Sequence, residues 1–198
     1  EIVNVGKTVL ITGSNMSGKT TFLRTIGVNI ILAMNGAPVP AKKIVMPPMA
    51  ILSSIRNEDS WSDGVSFFYA EVKRISSILK KARDSSIVNL VLLDELLKGT
   101  NSRERLIASK AILKELEKCE TMNFITTHDI DLAKNNPRLI LKFFSEIILD
   151  GKMSFDYKIR DGIVKSGNAL KILELEGLDL EFEQEWYSFL LHIFHRRD

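Results

Sequence analysis

The sequence predicts an α/β fold, with a mostly parallel sheet flanked by helices, and three observations support this prediction. Short apolar runs alternate with longer segments in which apolar residues recur at helical spacing. The run 87–93 is apolar at every position except Asn89, as expected of a strand that is covered on both faces. A glycine-rich loop over residues 13–20 separates the first apolar run from the first helical segment. This order is typical of parallel strands that are joined through helices.

The first half of the chain alternates regularly between strands and helices. We expect a strand over 8–12 and a helix over 19–34, one on each side of the glycine-rich loop. Prolines then end that helix and mark a loop with short strands over 36–56. A helix over 66–82 leads from this loop to the strand 87–93.

The second half continues the alternation and ends in strands of a different kind. The expected elements are a helix over 102–118, a strand over 122–126, a short helix over 129–134, strand-like runs around 143–149 and 152–159, and a helical tail over 168–194. Asp150 and Gly151 lie between the two strand-like runs and are a hairpin signal. We therefore expect an antiparallel addition at one edge of the sheet.

Composition limits the classes of protein to which the chain can belong. Its 198 residues suffice for one well-packed domain, or for one domain with an appendage. The net charge of +2 is too small to indicate nucleic-acid binding by itself. Cys119 is the single cysteine, which excludes an internal disulfide and suits the reducing cytoplasm.

The ends and the apolar runs of the chain bear on its cellular context. No apolar run approaches the roughly 18 residues that a membrane-spanning helix needs, so we expect no membrane partner. The first residue is Glu1 and not a methionine, and a strand follows within a few residues. We therefore expect the chain to be part of a longer, cytoplasmic protein.

The glycine-rich loop fits the phosphate-binding pattern G-x-x-x-x-G-K-[ST] without substitution. Its residues are Gly13, Ser14, Asn15, Met16, Ser17, Gly18, Lys19 and Thr20. In such a loop, backbone N–H groups converge on phosphate oxygens, and the N-terminus of the following helix adds its positive dipole end. We expect Lys19 to contact the β- and γ-phosphates and Thr20 to bind Mg²⁺. The alternative is a glycine-rich turn that fits the pattern by chance.

Two acids, Asp94 and Glu95, follow the apolar strand 87–93. Ligands of open α/β sheets bind at the carboxyl ends of the strands, which is where these acids lie. We expect Asp94 to hold Mg²⁺ through water and Glu95 to act as general base on an attacking water. The alternative is an acidic strand-to-helix turn without a catalytic role.

His128 and Ser66 are less specific signals. His128 ends a further apolar strand, where it can contact a γ-phosphate or the attacking water and report the nucleotide state. A histidine at a strand end is also common as a purely structural residue. Ser66 begins a predicted helix and is followed by three aromatic residues and then Glu71. On local grounds Ser66 is equally well explained as an N-cap.

Taken together, these elements resemble the ATPase domain of the MutS family, the DNA mismatch-repair ATPases and their relatives. The matching runs are 12–21, 93–95, 98–102 and 126–128. The pair Asn15-Met16 inside the loop is more specific to that family than the glycine pattern itself. Runs 157–162 and 166–170 extend the resemblance to a strand and to a C-terminal helical dimerisation element, which implies a core over 1–160 and a helical element over 161–198.

The resemblance implies a P-loop fold of the ABC type, in which two copies enclose two ATP molecules, each with Mg²⁺. It implies that Ser66 contacts the γ-phosphate bound by the second copy, and that the loop 98–101 lies across the same interface. It also implies that Asn15 and Thr21 belong to the nucleotide site and that the segment 56–59 faces the nucleotide. DNA would be bound through N-terminal domains outside this chain.

Departures from the usual family pattern indicate a divergent MutS-like branch. Ser14 stands where mismatch-repair members usually have proline, 96–98 reads Leu-Leu-Lys where Ile-Gly-Arg is common, and 65–69 differs from Arg-Ser-Thr-Phe-Met. Two alternatives remain open. One is a dimerisation module that binds ATP with little turnover. The other is a different ABC-type repair ATPase, although the chain lacks that group's Leu-Ser-Gly-Gly signature.

The tail from residue 178 to 198 has aromatic and leucine residues at helical spacing. Such a helix either packs back on its own domain or forms a partner surface. His192 and His195 are spaced to share a helix face, but without a carboxylate partner at fitting spacing they do not make a convincing metal site.

Overall fold

The structure is a computed structural model and describes residues 3–55, 67–134, 136–149 and 152–163. The strands in these ranges are β1 Thr8–Thr12, β2 Met49–Ser54, β3 Val88–Asp94, β4 Thr121–Thr127, β5 Leu139–Phe143, β6 Glu146–Leu149, β7 Lys152–Phe155 and β8 Arg160–Asp161. The helices are α1 Lys19–Met34, α2 Phe67–Asp84 and α3 Ser102–Leu116, with a short 3-10 helix Ile130–Leu132.

Within the described residues the main sheet has six strands in the order β2-β3-β4-β1-β5-β8. The first five of these are parallel, and β8 runs antiparallel to β5. The register aligns the carboxyl ends of the three central strands, because Asp94 pairs with Thr126 and Thr12 pairs with Thr127. The two loops that follow β1 and β3 therefore begin at the same edge of the sheet, on either side of the end of β4.

The central strands are buried on both faces, which explains their apolar sequences. On β3, Leu90 and Leu92 belong to the hydrophobic core that includes Leu23 of α1. The alternate residues Val91 and Leu93 belong to the core that contains residues of α2 and α3. The fold thus has three layers, with α1 on one face of the sheet and α2 and α3 on the other. Burying each such leucine or valine stabilises the fold by about 1.5–3 kcal/mol.

Most of the predicted elements are confirmed. The strand 8–12 and the helix 19–34 have the predicted bounds. The strand 87–93 is Val88–Asp94, and the strand 122–126 extends to Thr121–Thr127. The other helices differ at their ends by a few residues, and the short helix expected over 129–134 is the 3-10 helix. Local pattern fixed these elements because each is bounded by turn residues.

The last strands of the sheet differ from expectation. The strand β5 was not predicted, although it lies beside β1 and is the fifth strand of the sheet. Its buried Lys142 interrupts the apolar pattern, and this ammonium pairs with Asp161 on β8 at 2.7 Å. The expected run 143–149 therefore spans the end of β5 and all of β6.

The hairpin also differs from expectation. The strands β6 and β7 are antiparallel but form a two-stranded sheet of their own, whereas β8 is the antiparallel edge of the main sheet. The run 152–159 ends as a strand at Phe155, because Asp156 accepts a hydrogen bond from the Lys158 amide and pairs with Arg160. Tyr157 between them has a φ of 54°, which a strand cannot contain.

Several expectations fall on residues outside the described ranges. These are Ser66, the segment 56–59, the hairpin residues Asp150 and Gly151, the tail over 168–194, and His192 and His195. Across the ranges that are described, none of the helices has both the length and the apolar character needed to cross a bilayer.

Candidate nucleotide-binding site

A cavity of about 530 Å³ opens where the loop after β1 meets the start of α1. Six residues that the sequence assigned to nucleotide binding line it, namely Asn15, Met16, Gly18, Lys19, Thr20 and Thr21. Glu95 reaches the same cavity from the end of β3. The sheet topology therefore gathers the residues that the sequence placed in separate motifs.

The backbone of the loop requires glycine at two points. Gly13 has a φ of 150°, and a Cβ atom there would lie 2.7 Å from the carbonyl oxygen of Phe144. Gly18 has a φ of 101° and directly precedes α1. As a glycine at the N-cap position, it has no side chain that could accept a hydrogen bond from the first amides of the helix. The first amides of α1 are consequently left for another acceptor, as at anion-binding helix N-termini.

Lys19 is almost fully buried in this loop, with 4% of its surface exposed. Its ammonium donates hydrogen bonds to the carbonyl oxygens of Gly13 at 3.0 Å and Ser14 at 2.7 Å. Burial lowers the pKa of Lys19 to about 8, while the carboxylate of Asp94 opposes this shift. The loop thus holds a desolvated cation, which an anion in the cavity would stabilise.

Asp94 joins three elements through its two carboxylate oxygens. The hydroxyl of Thr20 on α1 donates to Oδ2 at 2.8 Å, and the hydroxyl of Thr126 on β4 donates to Oδ1 at 2.7 Å. Hard oxygen ligands of this type suit Mg²⁺, which is commonly held by one or two side chains together with phosphates and water. Thr20 and Asp94 therefore fit the metal that the sequence predicted for them.

Glu95 lies at the centre of a group of charged and polar side chains. Its Oε1 is 2.6 Å from Nε2 of His128 and 3.9 Å from the Lys19 ammonium, and the ammonium of Lys98 pairs with its other oxygen. The Glu95 amide donates to Thr126, and its φ is 54°. This backbone conformation turns the side chain away from the strand direction and toward the cavity.

The His128 imidazole is held close to the loop. Burial lowers its pKa below the ordinary value, and the ammonium groups of Lys19 and Lys98 lower it further. A hydrogen bond with the Gly13 backbone and the charge of Asp94 act in the opposite direction. The ring is therefore neutral near pH 7, and a neutral ring can still donate its Nε2 proton to the Glu95 carboxylate.

Some residues of the site were missed or have a different role from the expected one. The hydroxyl of Ser17 donates to the Ser14 carbonyl, so it stabilises the loop itself. The hydroxyl of Ser14 donates to Glu146 on β6 at 2.7 Å. Tyr157 also lines the cavity, and its ring would lie 3.2 Å from a Cβ at Gly18. Local sequence gave no signal for Glu146 or Tyr157, because both reach the site through β6, β7 and the turn that follows.

Fold and site together define a mixed α/β protein whose polar groups gather at the carboxyl ends of adjacent parallel strands. Residues 9–185 match the family model described as MutS domain V. The chain therefore belongs to the MutS family.

Individual relatives agree with this assignment. The chain is 29% identical over 194 residues to the DNA mismatch repair protein MutS of Persephonella marina, covering 96% of this chain and 22% of that protein. It is 32% identical over 203 residues to the MutS of Petrotoga mobilis, covering 96% and 24%. With the MutS of Thermus thermophilus it shares 30% identity over 192 residues, covering 96% and 23%. The chain thus spans a little under a quarter of the length of these relatives.

Proposed function

We propose that this chain binds ATP with Mg²⁺ and hydrolyses the ATP to ADP and phosphate, as the nucleotide-binding part of a MutS-like DNA repair protein. The observation that carries the proposal is the buried Lys19 ammonium, held by two carbonyls inside a glycine-rich loop. A cation in this position has its pKa lowered to about 8 and gains most from an anionic ligand. Membership of the MutS family supports the same proposal.

Binding is explained by the loop and the start of α1. The β- and γ-phosphates would accept hydrogen bonds from the loop amides and from Lys19, which exchanges its carbonyl partners for phosphate oxygens. Asn15, Met16 and Thr21 line the same cavity and would complete the contacts with the nucleotide. Mg²⁺ held by Thr20 and Asp94 would neutralise charge on the phosphates.

Hydrolysis needs a group that orients the attacking water, and Glu95 is placed to do this. Its carboxylate reaches the cavity and takes the proton of the water as the oxygen bonds to the γ-phosphorus. The bond from that phosphorus to the bridging oxygen breaks at the same stage and leaves ADP. His128, 2.6 Å from Glu95, would hold the carboxylate in line and contact the γ-phosphate.

The wider assembly is part of the proposal. In it two copies of the domain pair through ATP, with Ser66 and the loop 98–101 of one copy completing the site of the other. The C-terminal element over 161–198, for which the sequence predicts a helical tail, would support this dimer in the cytoplasm. DNA would be bound by other domains of the protein, since the relatives that are named DNA mismatch repair proteins are about four times longer than this chain.

A second function is favoured by one observation. The Lys98 ammonium pairs with one oxygen of Glu95, where it competes with a water for the carboxylate. A chain in which this ion pair persists would bind ATP and dimerise with little turnover. It would then act as a nucleotide-gated dimerisation module.

The test combines turnover with dimerisation. We expect wild-type protein to hydrolyse ATP, and Glu95→Gln to lower kcat by roughly a hundredfold or more, because general-base catalysis contributes 10²–10⁴. Nucleotide affinity should change little, and Glu120→Gln, a change on an exposed carboxylate, should behave as wild type. ATP-dependent dimerisation by a wild-type chain without turnover would favour the dimerisation module. Unchanged turnover in Glu95→Gln would show that the assigned base is wrong.

A further inference from the structure

We propose that Glu71 is a positioning residue that holds the loop carrying Glu95 against the start of α2. ATP hydrolysis then depends on the hydrogen bond that the Glu71 carboxylate accepts from this loop. The inference rests on the proposed function, because its readout is turnover. It assigns a role to a side chain that is not among the residues lining the cavity.

The first observation is a hydrogen bond between α2 and the loop that carries Glu95. Glu71 is the fifth residue of α2, and its Oε1 accepts a hydrogen bond from the backbone amide of Leu97 at 2.7 Å. Leu97 is buried, with 4% of its surface exposed. A buried amide without an acceptor is costly, so this carboxylate decides whether the loop can remain in this position.

The second observation is the backbone conformation of the same loop. Leu97 has a φ of 56° and Glu95 has a φ of 54°. Neither is glycine, and residues of this size seldom adopt the left-handed region unless surrounding contacts hold them there. The Thr126 hydroxyl and carbonyl accept from the Glu95 amide, and Glu71 accepts from the Leu97 amide. These two anchors fix the turn from both sides.

The third observation is close packing between the loop and α2. A Cβ atom at Gly99 would lie only 2.8 Å from the Cβ of Phe68. Leu96 and Leu97 also share a hydrophobic core with Ile75 of α2. The loop after β3 therefore docks against the first turns of α2 at two points, at Glu71 and at Phe68.

The consequence is geometric. The Glu95 carboxylate projects from a turn whose shape depends on the Leu97 hydrogen bond, so loss of that bond would let the carboxylate move within the cavity. Phosphate binding would be affected much less, because the glycine-rich loop is held by its own contacts with Phe144 and Glu146. Glu71 should thus influence kcat and not nucleotide affinity.

The test compares two substitutions that differ in one property. Glu71→Gln keeps an oxygen that can accept from Leu97, whereas Glu71→Leu fills similar space without an acceptor. We expect Glu71→Leu to lower kcat about tenfold or more with the Kd for ATP within about threefold of wild type, and Glu71→Gln to keep most of the activity. Glu120→Leu, which alters an exposed glutamate just before β4, at the amino end of that strand, is the matched control.

Two further variants separate positioning from general stability. In a Glu95→Gln background, Glu71→Leu should lower the residual rate no further, because the group that it positions is already absent. Gly99→Ala disturbs the other docking point and should reproduce the selective loss of kcat, so it replaces Glu71→Leu if that variant fails to fold. In a Glu95→Gln background Gly99→Ala should also lower the residual rate no further, which separates positioning of Glu95 from the proposed role of the loop 98–101 at the second copy's site.

Several outcomes would overturn the inference. They are wild-type kcat in both Glu71→Leu and Gly99→Ala, an equal loss in Glu71→Gln and Glu71→Leu, or a parallel loss of ATP affinity and kcat. Absence of hydrolysis by the wild-type protein would be seen before any variant is made. It would overturn the proposed function, and this inference with it.

Discussion

The ammonium of Lys19 is buried, and its two hydrogen-bond partners are neutral backbone carbonyls. The nearest carboxylate oxygen of Glu95 is 3.9 Å away, so the charge is only partly compensated. Desolvation consequently lowers the pKa of Lys19 to about 8. An arriving phosphate would restore the charged form, which links nucleotide binding to protonation.

This linkage predicts proton uptake on binding. Without nucleotide, the pKa of Lys19 is about 8 in the native state, below its ordinary value of 10.5. Between pH 8 and pH 10.5 the native protein therefore binds fewer protons than the unfolded protein, and the free energy of unfolding rises with pH. Because bound phosphate raises this pKa again, the protein should take up about 0.7 proton for each ATP that it binds at pH 8.5. Calorimetry in two buffers of different ionisation enthalpy measures this number.

The control for proton uptake is Lys19→Arg, whose guanidinium stays charged at this pH. Its proton uptake per bound nucleotide should be close to zero, whatever its affinity. Equal uptake in wild type and Lys19→Arg would show that Lys19 is not the group that responds to the ligand.

Glu146 places a negative charge beside the phosphate loop. It accepts a hydrogen bond from Ser14, and its charge reaches Lys19, where it opposes the lowering of the pKa. Glu146→Gln keeps an acceptor for Ser14 but removes repulsion toward phosphates. At pH 7 we expect ATP to bind about threefold to tenfold more tightly, as expected for a unit charge several ångströms away in a partly polar medium. Equilibrium titration would contradict this if the affinity stayed the same or fell.

At the scale of elements, the sequence predicted well those features that local chemistry determines. The first strand and first helix have the predicted bounds because glycines require the turn between them. Asp94, Glu95 and His128 meet because the strands that precede them are parallel neighbours. The sequence alone therefore predicts that these motifs form one site.

Other elements depended on contacts that no local pattern contains. The strand β5 carries the buried Lys142, whose charge is paired with that of Asp161 on β8, 19 positions later. The hydrogen bond between Glu71 and Leu97 joins positions 26 residues apart. In the sequence Glu71 stands out only as a neighbour of aromatic residues, because a hydrogen bond to a backbone amide leaves no trace there.

The N-terminus of α3 provides an element that can be tested by itself. The side chain of Asn101 accepts a hydrogen bond from the Glu104 amide at 2.9 Å, as an N-cap does. Asn101→Ala should lower the free energy of unfolding by about 1 kcal/mol, and Asn101→Ser should restore most of it. Urea unfolding monitored by circular dichroism measures both. An unchanged free energy in Asn101→Ala would show that the cap does not stabilise the folded chain.

At the scale of the whole molecule, the order of the sheet creates the site. Thr20 and Asp94 are 74 positions apart and their oxygens are 2.8 Å apart, while Thr126 reaches the same carboxylate from β4. Two hydrophobic cores, one on each face of the sheet, hold α1 and β3 in this relation. Gly27 of α1 approaches β3 so closely that a Cβ there would lie 3.0 Å from Leu92. The site is thus a product of the packed fold and of no single motif.

The most direct measurement of the central claim is the affinity of the folded chain for a fluorescent ATP analogue, compared between wild type and Lys19→Ala. Loss of a charge-assisted contact to phosphate, together with the loop contacts that Lys19 makes, should weaken binding by at least about tenfold. Lys80→Ala, which removes an exposed lysine from α2, should bind as wild type does. Equal affinity of wild type and Lys19→Ala would contradict the account.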